Sequence, residues 1–215
     1  MGVVAIILAG GRSERMNLPK PDAPRAAHID KALLTIGEKS LIEHCTRRLA
    51  EQYSPSPDKI FISGNEDFLT GYPIIPDLEK GPPGPAGGIY AAWSYLKAQK
   101  PTPNGFITVS ADCPFLPLDL IVKLQAEEGM RYCATHSRGK INAHRTCAYW
   151  PMKALGENWP RFMEPEQQKQ DWSLRKLIAM CSGEPVFWED HNAFFNVNTP
   201  QDLSEATQIH SKFLS

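Results

Sequence analysis

Apolar residues gather at the very start of the chain, where Val3-Val4-Ala5-Ile6-Ile7-Leu8 runs without a charge and stops at Ala9-Gly10-Gly11. An unbroken run of aliphatic and β-branched residues predicts a strand buried on both faces, the pattern of a parallel sheet. The next stretch, Asn17 to Ile29, holds Pro19, Pro21 and Pro24 and predicts a loop, because proline removes backbone donors and fixes φ. Lys39 to Gln52 then places Leu41, Ile42, Cys45 and Leu49 at helical spacing, and an apolar strand follows at Lys59 to Ser63, completing a β-α-β unit.

The alternation continues. A short strand is expected at Ile74-Ile75 between Pro73 and Pro76, then a glycine- and proline-rich loop from Gly81 to Gly88 and a helix from Ile89 to Gln99. Phe106 to Ser110 reads as a strand ending at Ala111-Asp112-Cys113-Pro114, and Pro117 to Glu128 reads as a helix with proline near its first turn. Strands at Tyr132 to His136 and Ala143 to Trp150 surround a turn at Arg138-Gly139-Lys140. Helices at Leu155 to Met163 and Leu174 to Cys181, a strand at Pro185 to Trp188 and a final helix from Pro200 complete the chain. Such a pattern predicts an α/β fold, a three-layer α/β/α sandwich with right-handed crossovers.

With 215 residues the chain suits one domain, residues 1–215, and its 42% hydrophobic and 22% charged content is that of a globular protein. The 23 basic and 24 acidic residues nearly cancel, which leaves no chain-wide attraction to nucleic acid or an anionic membrane and confines any anion binding to a local site. The five cysteines form no C-x-x-C pair and their number is odd, so reduced, buried thiols are expected rather than a disulfide framework or a zinc cluster. No basic n-region precedes the first strand and no apolar stretch reaches the length of a bilayer span, which predicts a cytoplasmic location.

In open α/β sheets ligands collect at the carboxyl ends of strands. The segments there are Leu8 to Met16, Asp77 to Gly88 and Ser110 to Pro114. Backbone N–H groups at Gly10-Gly11, with Arg12 and Arg15 beside them, suit a polyphosphate, although two glycines also serve a tight strand exit. Neither G-x-x-x-x-G-K-[ST] nor G-x-G-x-x-G is present, which argues against a P-loop ATPase and a dinucleotide-dependent dehydrogenase. Asp112 is either a hard oxygen ligand for Mg²⁺ or the N-cap of the following helix. Asn65 and Asp77, just after strands, are either ligand contacts or turn residues.

The run Leu8-Ala9-Gly10-Gly11-Arg12-Ser13-x-Arg15-Met16, followed by Asp30-Lys31-Ala32-Leu33, resembles the nucleotidyltransferase signature L-A-G-G-x-S-x-R-M…D-K. Within that superfamily the chain resembles the molybdenum cofactor guanylyltransferases, the MobA family. Gly84-Pro85-Ala86-Gly87-Gly88 is similar to the family's G-P-L-A-G loop, Ala111-Asp112-Cys113-Pro114 to its strand-end aspartate, and Asn196-Val197-Asn198-Thr199-Pro200 to its N-V-N-T-P motif. The resemblance covers residues 3 to 203, and over Lys140 to Asp190 it lies mainly in the pattern of elements.

The resemblance implies a Rossmann-like sheet of nucleotide-diphospho-sugar transferase type and transfer of GMP from GTP to molybdopterin with loss of pyrophosphate. It implies that Leu8, Ala9, Gly10, Gly11 and Gly84 hold the nucleotide, with Lys31 on its phosphates and Asn65 and Asp77 on guanine or ribose. Asp112 would hold Mg²⁺, Arg15 and Lys31 would balance charge on the departing pyrophosphate, and Asn196 and Asn198 would face the pterin phosphate. It also implies transient contact with molybdoenzyme maturation proteins. The chain departs from the family at the inserted Asn17–Ile29 segment, so Lys20 competes with Lys31 as the phosphate cation. His144-Arg145 stands where the family tends to have His-Pro, as a substrate contact or a strand-edge histidine. Rival readings are a cytidylyl or other nucleotidyl transfer to molybdopterin or to a sugar or polyol phosphate, and a nucleotide-binding module without turnover.

Overall fold

The computed structural model describes residues 3–10, 30–52, 57–66, 68, 70–137, 139–164 and 171–214. The inserted loop from Asn17 to Ile29, with Lys20, and the candidate residues Gly11, Arg12 and Arg15 lie outside these described residues.

The first strand, β1 (Val4–Leu8), is the axis of the molecule. After a 3₁₀ turn at Lys31–Leu33 come a two-strand hairpin, β2 (Thr35–Ile36) with β3 (Lys39–Ser40), and helix α1 (Leu41–Ala50). The chain continues through β4 (Ile60–Ser63), β5 (Ile74–Ile75), α2 (Pro85–Ala98), β6 (Gly105–Ser110), α3 (Leu120–Leu124), β7 (Arg131–Ser137) and β8 (Lys140–Pro151). Helices α4 (Met152–Met163) and α5 (Leu174–Met180), strand β9 (Glu184–Trp188) and helix α6 (Pro200–Leu214) close it. The main sheet has seven strands in the order β5-β4-β1-β6-β8-β7-β9. β1 pairs in parallel with both β4 and β6, and β8 runs antiparallel to its neighbours β6 and β7.

Side-chain alternation along β1 builds the layers. Ala5 and Ile7 face one core with Ile42, Cys45 and Leu49 of α1 and Leu120 and Leu124 of α3. Ile6 and Leu8 face the opposite core with Ala86 and Ile89 of α2, Leu155 and Phe162 of α4 and Leu177 of α5. Ile6 and Ile7 are fully buried, each contributing about 1.5–3 kcal/mol relative to exposure. The three-layer sandwich with a mostly parallel sheet follows directly. A third cluster, including Ile36, Phe115, Val197, Ala206 and Ile209, seats α6 on the β2–β3 hairpin.

Local chemistry sets the helix ends. Ser40 caps α1 through a reciprocal box with Glu43, whose carboxyl is held below its ordinary pKa first by the Ser40 hydroxyl. α2 begins at Pro85, earlier than the apolar period from Ile89 predicts, because proline suits the first helical position and Gly84 supplies φ +65° before it. α3 is much shorter than the helix read over Pro117 to Glu128: it stops at Leu124, and beyond it the exposed Glu127, Glu128 and left-handed Gly129 offer no apolar face to bury. Lys140, read as a turn residue, already belongs to β8. Among the described residues no helix is long and apolar enough to cross a membrane.

Candidate functional site

Three strands deliver their ends to one place. Leu8 stands in register with Ser63 on one side and Ser110 on the other; Ala9 N donates to Ser63 O at 2.9 Å and Ala111 N to Leu8 O at 3.1 Å. Above these ends opens a cavity of about 900 Å³ whose wall includes Leu8, Ala9, Gly10, Asn65, Asp77 and Gly84. These are the sequence-predicted nucleotide residues that the structure brings together. The volume is that of a small-molecule site.

Asn65 and Asp77 bond to each other across the wall: Asp77 N donates to Asn65 Oδ1 at 3.0 Å and Asn65 Nδ2 to Asp77 Oδ2 at 3.3 Å. The turn reading required local bonds to their own backbones, whereas these join the loops after β4 and β5. A Cβ on Gly10 would sit 3.6 Å from Asp77 Oδ2, so the glycine backbone lies against that carboxylate. Inside α2, Gly88 lies so close to β1 and β4 that a Cβ would come within 2.9 Å of Leu8 Cδ2 and Ser63 Oγ.

A second constellation adjoins the first. Lys31 Nζ donates to Asp112 Oδ2 and, at 2.9 Å, to Asn198 Oδ1. Asp30, on the cavity wall, fixes the turn that carries Lys31 by accepting from Ala32 N at 2.8 Å. Asp112 is not the N-cap of α3; that helix starts at Leu120, and its cap position is Asp119. Instead the Asp112 carbonyl accepts from Val197 N at 3.0 Å, and the Cys113 thiol reaches Asn196 Oδ1 at 2.6 Å. Asp202 accepts from Asn198 N at 2.9 Å and from Thr199 N at 2.8 Å, while Thr199 Oγ1 accepts from Asp202 N at 3.1 Å. The segment from 196 to 199 is therefore clamped between the exit of β6 and the start of α6.

All five cysteines are buried and unpaired. Burial pushes the Cys45 and Cys133 thiols well above their ordinary pKa, and the Cys113 thiol is raised first by its bond with Cys147 and then by burial. His144 bonds Thr135 Oγ1 at 3.0 Å and stacks on Phe194 at 4.7 Å; burial lowers its pKa to about 4, so the ring is neutral. It supports the segment ahead of Asn196 rather than lining the cavity.

Among the described residues no group of three or more His, Cys, Asp and Glu could cage a metal. One carboxylate beside two amide side chains instead suits a hard cation that takes most of its oxygens from substrate phosphates and water. Sequence reasoning missed Ser63 and Glu66 on the wall, and Asp202 as the clamp. Thr199-x-x-Asp202 was visible as a capping signal; the wall residues carried none.

A cavity at the carboxyl ends of parallel strands, flanked by a cation, a carboxylate and amide side chains, is the candidate site of a nucleotidyltransferase. The chain belongs to the MobA-like NTP transferase domain family, whose model matches residues 5–199. It is 33% identical to a molybdenum cofactor guanylyltransferase of Rhizobium leguminosarum bv. trifolii, over 95% of this chain and 91% of the relative. It is 30% identical to one from Cereibacter sphaeroides over 99% of both. Among solved structures, molybdopterin-guanine dinucleotide biosynthesis protein A from Archaeoglobus fulgidus superposes with a TM-score of 0.65 at 20% identity, covering 98% of this chain and 100% of that one. A 4-diphosphocytidyl-2C-methyl-D-erythritol synthase from Anaerococcus prevotii gives 0.68 at 13% identity, covering 98% of each. These superpositions establish the nucleotide-diphospho-sugar transferase fold.

Proposed function

We propose that the protein is a Mg²⁺-dependent guanylyltransferase that moves GMP from GTP to molybdopterin. The observation that supports this reading is the Lys31–Asp112–Asn198 contact, a cation, a carboxylate and an amide side chain gathered beside a cavity large enough for a nucleotide. The names of its relatives supply the nucleotide and the acceptor. A terminal phosphate oxygen of molybdopterin forms a bond to the α-phosphorus of GTP, the bond from that phosphorus to the bridging oxygen breaks, and pyrophosphate departs. Such a reaction needs positioning and charge neutralisation rather than a protein nucleophile.

Each group then has a role. The wall at Leu8, Ala9, Gly10 and Gly84 receives the nucleotide, and the Asn65–Asp77 pair, already locked to itself, presents its remaining polar atoms to guanine or ribose. Lys31 offsets charge on the leaving pyrophosphate, with Gly11 and Arg15 assigned to the same phosphates. Asp112 and phosphate oxygens would hold Mg²⁺, which supplies further charge neutralisation when bound. Asn196 and Asn198 face the acceptor phosphate. We further infer a single domain spanning the chain, a cytoplasmic location and a transient hand-over of product to molybdoenzyme maturation proteins.

The test is pyrophosphate release from GTP, CTP, ATP or UTP with molybdopterin and Mg²⁺, alongside melting curves with each nucleotide. Turnover and stabilisation confined to GTP are expected, since a ligand that binds only the folded state raises its apparent stability. A preference for CTP would replace the guanine assignment, and binding without pyrophosphate release would make the protein a nucleotide-binding module.

A further inference from the structure

We propose that the Cys113 thiol is a positioning residue for the acceptor, locking the Asn196 side chain so that its NH₂ group, not its carbonyl oxygen, faces the acceptor phosphate. The inference rests on the guanylyltransferase reading and adds a residue to it. Cys113 is 1% exposed and sits directly after Asp112. Its sulfur lies 2.6 Å from Asn196 Oδ1 and 3.8 Å from Asp112 Oδ1, so the amide is the nearer of the two oxygen acceptors. The backbone that carries the thiol is held: Cys113 N donates to Ser110 O at 3.1 Å, and Cys113 O accepts from the Cys45 thiol at 3.2 Å.

Asn196 is exposed, which leaves the other end of its amide open to a ligand. The same arrangement recurs two residues later, where Asn198 Oδ1 accepts from Lys31 Nζ at 2.9 Å. Both asparagine oxygens are thus occupied by donors from the protein, and among the described residues neither NH₂ group has an acceptor. Two preset donors match a phosphate, which only accepts hydrogen bonds. A freely flipping amide would spend part of its time presenting an oxygen to that anion, a repulsive arrangement.

The experiment compares Cys113→Val, which keeps the volume and removes the donor, with Cys113→Ser, which keeps a donor, in the full-length protein. For Cys113→Val the KM for molybdopterin should rise about tenfold, the equivalent of one lost hydrogen bond, while the KM for GTP stays within about twofold. Cys113→Ser should restore most of the acceptor affinity. Should Cys113→Val fail to fold by its melting curve, Cys113→Ala, which also lacks a donor, is read instead. An unchanged acceptor KM in the donorless variant, equal loss for both substrates, or a serine variant as impaired as valine overturns the inference. If the wild-type protein does not turn over molybdopterin, the functional reading fails, and the nitrogen-15 NMR signals of the Asn196 NH₂ group decide the inference alone. Two sharp signals in wild type and Cys113→Ser that shift or broaden in Cys113→Val support it, and identical signals in all three overturn it.

Discussion

Replacing Asp112 with asparagine keeps the side-chain shape and removes one negative charge, so it isolates the electrostatic contribution of the site. The carboxylate is 13% exposed and the Lys31 side chain 21%, which places the pair between a surface ion pair and a fully buried one. In the variant the ammonium keeps Asn198 Oδ1 as an acceptor, so it is not stranded. A stability loss of about 1–3 kcal/mol follows for an incompletely compensated polar group, less than the 3–5 kcal/mol for breaking a fully buried pair. For a chain of this size each kcal/mol lowers Tm by about 2–4 °C. Turnover should fall much further, on the order of 10²–10³, because a preorganised charge at the transferring phosphates is lost.

The assay is pyrophosphate release at saturating GTP, run well below the Tm of the variant so that unfolding does not imitate catalytic loss. A companion Lys31→Met variant and the double variant complete a thermodynamic cycle. Both groups act on the same phosphates, so the double variant should be little worse than the more damaged single one. A protein with Asp112→Asn that melts lower yet retains turnover within about threefold would reduce the carboxylate to a structural partner of Lys31 and refute the reasoning.

Other perturbations probe the walls. A Cβ at Gly87 would lie 2.2 Å from Pro82 O, a distance no atom pair tolerates, so Gly87→Ala should displace the loop over the cavity and weaken GTP binding roughly tenfold or more by calorimetry; unchanged affinity would disconnect that loop from the nucleotide. Asp77→Ala removes the carboxylate beside Gly10 and the bond it accepts from Asn65 Nδ2, while the bond from the backbone N at position 77 to Asn65 Oδ1 remains, and should raise the KM for GTP while leaving that for the acceptor near its original value. His144 has a folded pKa of about 4 against an ordinary 6.5, so between these values the unfolded chain takes up the proton and the native one does not. Its contribution to stability is therefore complete above about pH 6.5 and erodes as pH falls toward 4; melts at about pH 7 and pH 5 should show the loss, and His144→Gln should flatten it.

The strands β1, β4 and β6 were legible because each is a largely apolar run, and α1 because Leu41, Ile42, Cys45 and Leu49 stand at helical spacing. The β2–β3 hairpin was not, since two-residue strands leave no period to detect. The early start of α2 was hidden because Gly87 and Gly88 read as loop, whereas Gly88 lets the helix press against β1 and β4, and Gly87 against Pro82, where a side chain would clash. Local rules also overextended α3, whose length is decided by what it packs against. Within the site, residues beside strand ends were readable from the general habit of α/β sheets, but partners were not. Lys31 meets Asp112 across 81 positions of sequence, and Cys113 meets Asn196 across 83. Such contacts exist only after the sheet has ordered its strands.

That ordering explains why the chemistry sits where it does. From β1 the chain adds β4 and then β5 on one side, and only afterwards crosses to place β6 on the other, so the crevice between the diverging crossovers opens above Leu8 and Ser110. Gly10 and Asp112 are the residues that emerge on either side of it. β8, running antiparallel beside β6, returns the chain to the opposite end of the sheet, and β9, parallel to β7, brings it back toward the crevice. The segment from 196 to 199 then passes over the exit of β6, where Val197 N takes the Asp112 carbonyl and Asp202 caps the turn. An enzyme that joins two phosphorylated molecules needs a donor side and an acceptor side held in fixed relation. In the proposed assignment the parallel half of the sheet builds the first and the returning segment brings the second, and Lys31 ties the two segments together through Asp112 and Asn198.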